Sequence, residues 1–138
     1  MGETIVAVDP GREKCGVAAV HKTEGVLWQG VIAAAELEAK VAELFARFKT
    51  NRVIVGDGTG SQPVINALRH LKVGDPIAEV ITVDERHTTE KARARYWRHN
   101  PPRGWRRLLP VTLQVPPVPV DDYVAILLAE RYFNQVND

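Results

Sequence analysis

The order of the apolar segments constrains this fold more than any other feature of the sequence. Residues 4–9, 15–21 and 26–32 are three short apolar runs, and the first two are separated by the turn residues Pro10 and Gly11. Connections this short join antiparallel strands, because a parallel pair needs a crossover of a dozen or more residues. The N-terminal part of the chain is therefore predicted to form a three-stranded antiparallel meander.

After the meander, the hydrophobic period alternates between that of a helix and that of a strand. The segments predicted are a helix within 33–49, a strand at 52–56, a helix at 61–72, a strand at 79–83, a basic helix at 88–99, an irregular Pro-rich insertion around 98–119 and a helix at 120–134. A meander followed by such crossovers gives an α/β fold with a five-stranded mixed sheet, three strands antiparallel and two parallel, flanked by helices. Function is expected to gather at the strand ends.

Length and composition predict one ordinary globular domain. A chain of 138 residues is long enough for one core and too short for two, so residues 1–138 are expected to form a single domain. The sequence has no run of 18 apolar residues, and its N-terminus lacks a basic start and a cleavable apolar stretch. Cys15 is the only cysteine, which excludes an intrachain disulfide. We therefore expect a cytoplasmic protein without a membrane partner.

Basic residues are concentrated in one segment, although the whole chain has a net charge of only +1. Residues 86–107 contain eight bases and one acid, so this segment carries +7 and the rest of the chain −6. Aromatic residues are interleaved with the bases; arginine suits phosphates, and exposed aromatic rings stack on unpaired bases. The segment predicts nucleic acid, DNA or RNA, as a partner. The alternative is a solvated helix with Trp97 packed on the core.

The turn GDGTGS at residues 56–61 lies between a predicted strand and a predicted helix, where backbone N–H groups can meet a phosphate. A simple turn with a helix cap is an equal alternative. Together with the basic segment, this turn completes the set predicted to bind nucleic acid: Thr59, Ser61, Lys91, Arg93, Arg95, Arg98, Arg103, Trp105, Arg106 and Arg107. Trp105 is the predicted stacking residue.

Three acids stand where the pattern predicts apolar residues. Asp9 ends the first strand, Glu85 follows the strand at 79–83, and Asp121 opens the last helix. Oxygen clusters of this kind suit Mg²⁺ or Mn²⁺, and two such ions about 3.5–4 Å apart can activate a water at a phosphodiester. Each acid also has an ordinary interpretation, as a turn residue, the partner of a base or a helix cap.

Four stretches resemble the four ordered motifs of the YqgF/RuvX family: DPGREKCGVAAV, RVIVGDGTGS, ITVDERHTT and VDDYVAILLAERYF. Members of this family are ribonuclease-H-like Holliday-junction resolvases, also linked to trimming of the small-subunit ribosomal RNA precursor. The resemblance covers nearly the whole chain and implies a ribonuclease-H-like fold. It also implies metal-dependent cleavage of nucleic acid by a triad of Asp9, Glu85 and Asp121, which would hold the Mg²⁺ or Mn²⁺ ions.

The chain departs from the family pattern at two places that concern the site. GDGTGS is more similar to the YqgF-like domain of the Tex transcription proteins than to the usual family motif. Asp122 competes with Asp121 for the third acid, because counting from Glu130 favours Asp121 whereas the RuvC pattern favours Asp122. His87, beside Glu85, is a further candidate for orienting a water or moving a proton near neutral pH.

The leading hypothesis is a divalent-metal-dependent nuclease acting on structured or single-stranded DNA or RNA. The alternative is a nucleic-acid-binding module with weak or no catalysis, as in Tex. A sugar or acyl kinase half-domain shares the fold type, but the short chain leaves no room for a second lobe. A monomer or weak homodimer is expected, because only Tyr132 and Phe133 hint at an apolar dimer surface.

Overall fold

The central strand of the sheet is β1, and its two neighbours run in different directions. The computed structural model describes residues 3–58, 61–71, 78–84, 88–100 and 121–136. The strands are β1 (Thr4–Asp9), β2 (Lys14–His21), β3 (Gly25–Ala33), β4 (Arg52–Gly56) and β5 (Glu79–Val83), in the sheet order β3-β2-β1-β4-β5. The pairs β1–β2 and β2–β3 are antiparallel, whereas β1–β4 and β4–β5 are parallel. The predicted five-stranded mixed sheet is confirmed.

The helices in the described ranges are α1 (Leu37–Phe48), α2 (Ser61–Arg69), α3 (Thr88–His99) and α4 (Asp121–Val136). Helix α2 ends earlier than the predicted residue 72, because the amides of His70 and Leu71 bond to carbonyls three residues back. None of the helices in these ranges is long and apolar enough to cross a membrane. Most of the predicted Pro-rich insertion, from residue 101 onwards, lies outside the described residues.

Alternation along β1 divides its side chains between two hydrophobic clusters. Ile5 and Ala7 pack with α4 on one face of the sheet, and Val6 and Val8 pack with α1 and α2 on the other. All four side chains are fully buried. Burial on both faces explains why this strand is a continuous apolar run rather than an alternating one.

A group of ion pairs fastens the C-terminal half of α4 to the amino ends of β4 and β5. The guanidinium of Arg52 donates to the Tyr132 hydroxyl at 2.9 Å and pairs with Glu79 at 3.1 Å. Arg52 also pairs with Glu3, just before β1. This network lies at one end of the sheet, whereas Asp9 lies at the other.

We predict that two adjacent leucines of α4 differ sharply in their contribution to stability. Leu128 is fully buried in the cluster between α4 and the sheet, whereas Leu127 is only partly buried. Leu128→Ala should lower the free energy of unfolding by about 2–5 kcal/mol through lost burial and a cavity. Leu127→Ala, the matched control, should cost clearly less in the same urea titration. Equal losses would contradict this orientation of α4.

Candidate functional site

The first candidate acid, Asp9, lies at the carboxyl end of the central strand. Alternation places its side chain on the face of Ile5 and Ala7, which packs against α4. Asp9 is half-buried, and in the antiparallel ladder it is paired with Gly16 of β2. The strand therefore brings a carboxylate to the end of the sheet, on the side of α4.

Gly16 allows the first turn of α4 to lie directly on the sheet. A Cβ atom built on Gly16 would lie 2.6 Å from the Asp122 amide nitrogen, and still closer to the Asp121 carbonyl group. Real Cβ atoms essentially never come within 3.0 Å of such atoms, so any side chain here would displace the helix. Because Gly16 is the ladder partner of Asp9, the Asp121 backbone lies over the strand position next to Asp9, at the same end and face of the sheet.

The Asp121 carboxyl group is in an unfavourable environment for a negative charge. Its pKa is raised above the ordinary value, first because burial disfavours the ionised form and then because the Asp122 charge repels it. The Lys14 ammonium partly opposes these effects. The ionised form of Asp121 therefore gains from any additional positive charge placed beside it.

The Asp122 carboxylate is hydrogen-bonded towards the edge strand β3. Its Oδ2 accepts a hydrogen bond from the Gln29 side-chain amide at 2.9 Å, and its Oδ1 accepts one from the Tyr123 backbone N–H at 3.1 Å. Gln29 belongs to β3, which is separated from β1 by β2. The two acids that the sequence left ambiguous thus have different surroundings, and Asp122 is bound to the edge strand.

The thiol of Cys15 lies within electrostatic range of both Asp9 and Asp121. Burial raises the pKa of this thiol, and the charges of both Asp9 and Asp121 raise it further. The Cys15 side chain itself packs in the cluster of α1 and α2 on the opposite face. The charges of both carboxylates therefore affect the Cys15 thiol, but Cys15 is not a candidate metal ligand.

Two of the predicted site residues, Glu85 and His87, lie outside the described residues. The two alternating positions of β5 before Glu85, Ile81 and Val83, both contact the cluster under α4. Within the described ranges no group of three His, Cys, Asp or Glu side chains is close enough to hold a metal ion. The proposed triad thus has two members whose placement is described.

The basic residues of α3 fall into two groups. Lys91, Arg93 and Arg98 are exposed to solvent, whereas Arg95 is half-buried and pairs with Glu130 of α4 at 2.8 Å. Trp97 is only 7% exposed, in agreement with the alternative that it packs on the core. Four further predicted contacts lie outside the described residues: Arg103, Trp105, Arg106 and Arg107.

The turn before α2 is partly described. Ser61 is buried as the first residue of the helix, and its backbone N–H donates to the Gly58 carbonyl at 3.2 Å. The amide of Asp57 donates to the Val83 carbonyl at 3.1 Å, which ties the turn to β5. Thr59, the other predicted phosphate contact in this turn, lies outside the described residues.

Sequence reasoning missed two features next to the acids. Gln29 is the single polar side chain of β3, and nothing local to it signals its bond to Asp122, 93 residues away. The Tyr123 ring meets the Tyr96 ring edge to face at a centroid distance of 6.1 Å and the His99 ring at a tilt at 5.9 Å, so the C-terminal end of α3 lies against the start of α4. An open groove of about 510 Å³ lies along the same two helices and is lined by Lys91, Ala94, Trp97, Arg98 and Leu127.

The donor atoms of the candidate acids suit a hard divalent cation. Asp9 and Asp121 supply carboxylate oxygens, the ligands that Mg²⁺ and Mn²⁺ prefer, and they supply no sulfur or imidazole. The raised pKa of Asp121 marks a charge that the protein leaves partly uncompensated. Both observations fit the predicted ions.

No family model and no curated protein matches the chain. Among solved structures, that of Thermus thermophilus RuvC is similar with a TM-score of 0.60 and 16% identity, covering 96% of this chain and 95% of that one. T. thermophilus RuvC in complex with Holliday junction substrate is similar with a TM-score of 0.57 and 15% identity, covering 98% and 96%. The chain therefore has a ribonuclease-H-like fold of the RuvC type.

Proposed function

We propose that residues 1–138 form a nuclease domain that hydrolyses phosphodiester bonds in nucleic acid with the help of divalent metal ions. The single observation that supports this most is the contact of the α4 backbone at Asp121 with Gly16, the ladder partner of Asp9, at one end of the sheet. The similarity to RuvC, one structure of which contains a Holliday junction, supports the same class of substrate.

In this proposal Asp9, Glu85 and Asp121 hold the metal, and Mg²⁺ or Mn²⁺ at a two-ion site would supply an activated water and stabilise the leaving oxygen. The fold contributes by fixing Asp9 on a rigid central strand and Asp121 on a helix packed against it. Burial of Asp121 disfavours its charge, so a bound cation would recover free energy that the folded chain lacks without one. The Asp122 carboxylate accepts a hydrogen bond from Gln29. His87 remains a predicted supporting residue.

The nucleic acid is proposed to lie across α3 and the turn before α2. Lys91, Arg93 and Arg98 present exposed cations, and the groove between α3 and α4 offers an apolar floor between two of them. The buried indole N–H of Trp97 has no hydrogen-bond partner within the described part of the chain. The exposed cations favour a backbone-tracking interface over a sequence-reading one, because phosphate contacts carry no base information.

We predict that cleavage requires all three acids. Asp9→Asn, Glu85→Gln and Asp121→Asn should each abolish hydrolysis of a labelled oligonucleotide with Mg²⁺ or Mn²⁺, since each removes an anionic metal ligand without changing the size of the side chain. Circular dichroism of the three variants should show an unchanged fold. The control variant Glu43→Gln, on α1, should cleave the oligonucleotide normally. Binding without cleavage in the wild type would favour the Tex-like alternative. Activity retained by Asp121→Asn and lost in Asp122→Asn would reverse the assignment of the third acid.

We predict that binding depends on salt through the exposed bases of α3. Each phosphate contact contributes about −0.9 to the slope of log K against log salt on duplex DNA. Arg93→Ala and Arg98→Ala should each flatten that slope by about one contact, as should changes at Arg103, Arg106 and Arg107. Arg95→Ala should leave the slope nearly unchanged, because Arg95 is paired with Glu130. Arg47→Ala, on α1 at the opposite face of the sheet, is the control and should leave the slope unchanged. If no variant of the basic segment changes the slope, the proposed interface is contradicted.

We predict a monomer or weak homodimer that acts chiefly on flexible strands. Tyr132 and Phe133, the residues that hinted at a dimer surface, are each only 6% exposed because they pack in the core of the chain itself. Sedimentation at micromolar concentration should give mainly monomer, and a single-stranded oligonucleotide should be cut faster than a mobile junction. A tight dimer that cuts junctions symmetrically and leaves single strands intact would support a resolvase instead, since two-fold substrates need two active sites.

A further inference from the structure

The first turn of α4 is fixed at two points on the sheet. Gly16 lies beneath the peptide bond between Asp121 and Asp122, and Gln29 donates to the Asp122 carboxylate. Gln29 is the ladder partner of Ala18, two residues along β2 from Gly16, so the two points are about 7 Å apart along the strand direction and on one face. Two contacts at this spacing set both the distance of α4 from the sheet and its rotation about its own axis.

We infer that Gln29 is a positioning residue of the proposed nuclease site. Its side-chain amide holds Asp122 over the edge strand and thereby directs Asp121, rather than Asp122, towards Asp9. This inference rests on the proposed function, because the position of Asp121 matters for activity only if Asp121 takes part in the reaction.

The distances explain why such a device is needed. Adjacent strands are about 4.8 Å apart, so β3 and β1 are separated by about 9–10 Å. The hydrogen bond to Gln29 holds the Asp122 carboxylate towards β3, across β2 from Asp9, whereas a metal bound to Asp9 requires its other ligands within about 2.0–2.6 Å of the ion. Consecutive residues of a helix differ by about 100° around its axis, so the rotation of α4 decides which of Asp121 and Asp122 faces Asp9.

Electrostatics gives the Gln29 contact a second role. An Asp122 carboxylate that lay beside the Asp121 carboxylate would place two like charges together, which costs free energy. The neutral amide of Gln29 keeps that charge at the sheet edge and satisfies it with a hydrogen bond. Glutamate at this position would have nearly the same shape but would repel Asp122.

The charge-exchange pair Gln29→Glu and Asp122→Asn tests this inference. Gln29→Glu should lower kcat by up to about 100-fold, the cost of displacing a catalytic group by about 1 Å, with little change in KM because the bases of α3 are untouched. The double variant Gln29→Glu/Asp122→Asn should restore kcat, because the introduced amide can donate to the introduced carboxylate. Gln135→Glu, at the exposed far end of α4, should have no effect.

A second pair of variants tests the other fixed point. Gly16→Ala should also lower kcat strongly, because its Cβ meets backbone atoms of α4. Gly30→Ala is the matched control, because its Cβ would meet only the tip of the Trp28 ring. The free energy of unfolding, measured on every variant, separates lost activity from lost fold.

The outcomes distinguish this inference from the proposed function. A wild-type protein that cuts nothing with Mg²⁺ or Mn²⁺ would overturn both. A wild-type protein that cuts, with Gln29→Glu equally active, would overturn only the positioning role. Loss of kcat in Gln29→Glu without recovery in the double variant would also overturn the positioning role, because Gln29 would then not act through Asp122. Recovery of kcat at unchanged stability would support the inference, because a merely structural role would not produce a charge-specific rescue.

Discussion

The geometry of the proposed site depends on the close approach of α4 to Gly16. One missing side chain on β2 allows a helix backbone to lie where an ordinary residue would exclude it. The ladder pairs that glycine with Asp9, so a single contact between backbones brings together acids that are more than a hundred residues apart in the chain. The remaining architecture holds this contact in place, since Leu128 and its neighbours pack α4 on the sheet and Arg52 fastens its far end.

The two ends of the sheet handle acidic residues in opposite ways. At the amino ends of β4 and β5, Glu79 is neutralised by Arg52, which also binds Tyr132. At the carboxyl end of β1, Asp121 is partly buried beside Asp122, and the Lys14 charge opposes their combined effect on its pKa. Folding alone gives no reason to group carboxylates in this way, because burial of like charges costs free energy. Unfavourable local electrostatics on an otherwise well-packed fold are typical of functional sites.

Most of the fold was predictable because its signals are local. Residues 4–9 and 52–56 are continuous apolar runs because those strands are buried on both faces, and the short connection at Pro10 permits only an antiparallel return. The site was less predictable because its determinants are not local. The pattern placed Asp9 and Asp121 at element ends, but it gave no means of choosing between Asp121 and Asp122. That distinction depends on Gln29, whose partner is set by how α4 crosses the sheet. Similarly, Arg95 pairs with Glu130 because α3 packs against α4. The sequence does not reveal this contact, so Arg95 was predicted to bind nucleic acid together with the exposed bases.

In the proposed nuclease, the packing of α4 on the sheet would separate the choice of substrate from catalysis. Asp9 lies on a central strand and Asp121 on a helix that is packed along its length, so both are fixed by the core. The bases of α3 instead lie on an exposed surface, where substitution has little effect on packing. Arg95 and Glu130 connect these two layers, because their pair ties the basic helix to the helix that bears Asp121. Under the proposed function, changes in the exposed bases would therefore alter which nucleic acid is bound, while packing keeps Asp9 and Asp121 in place.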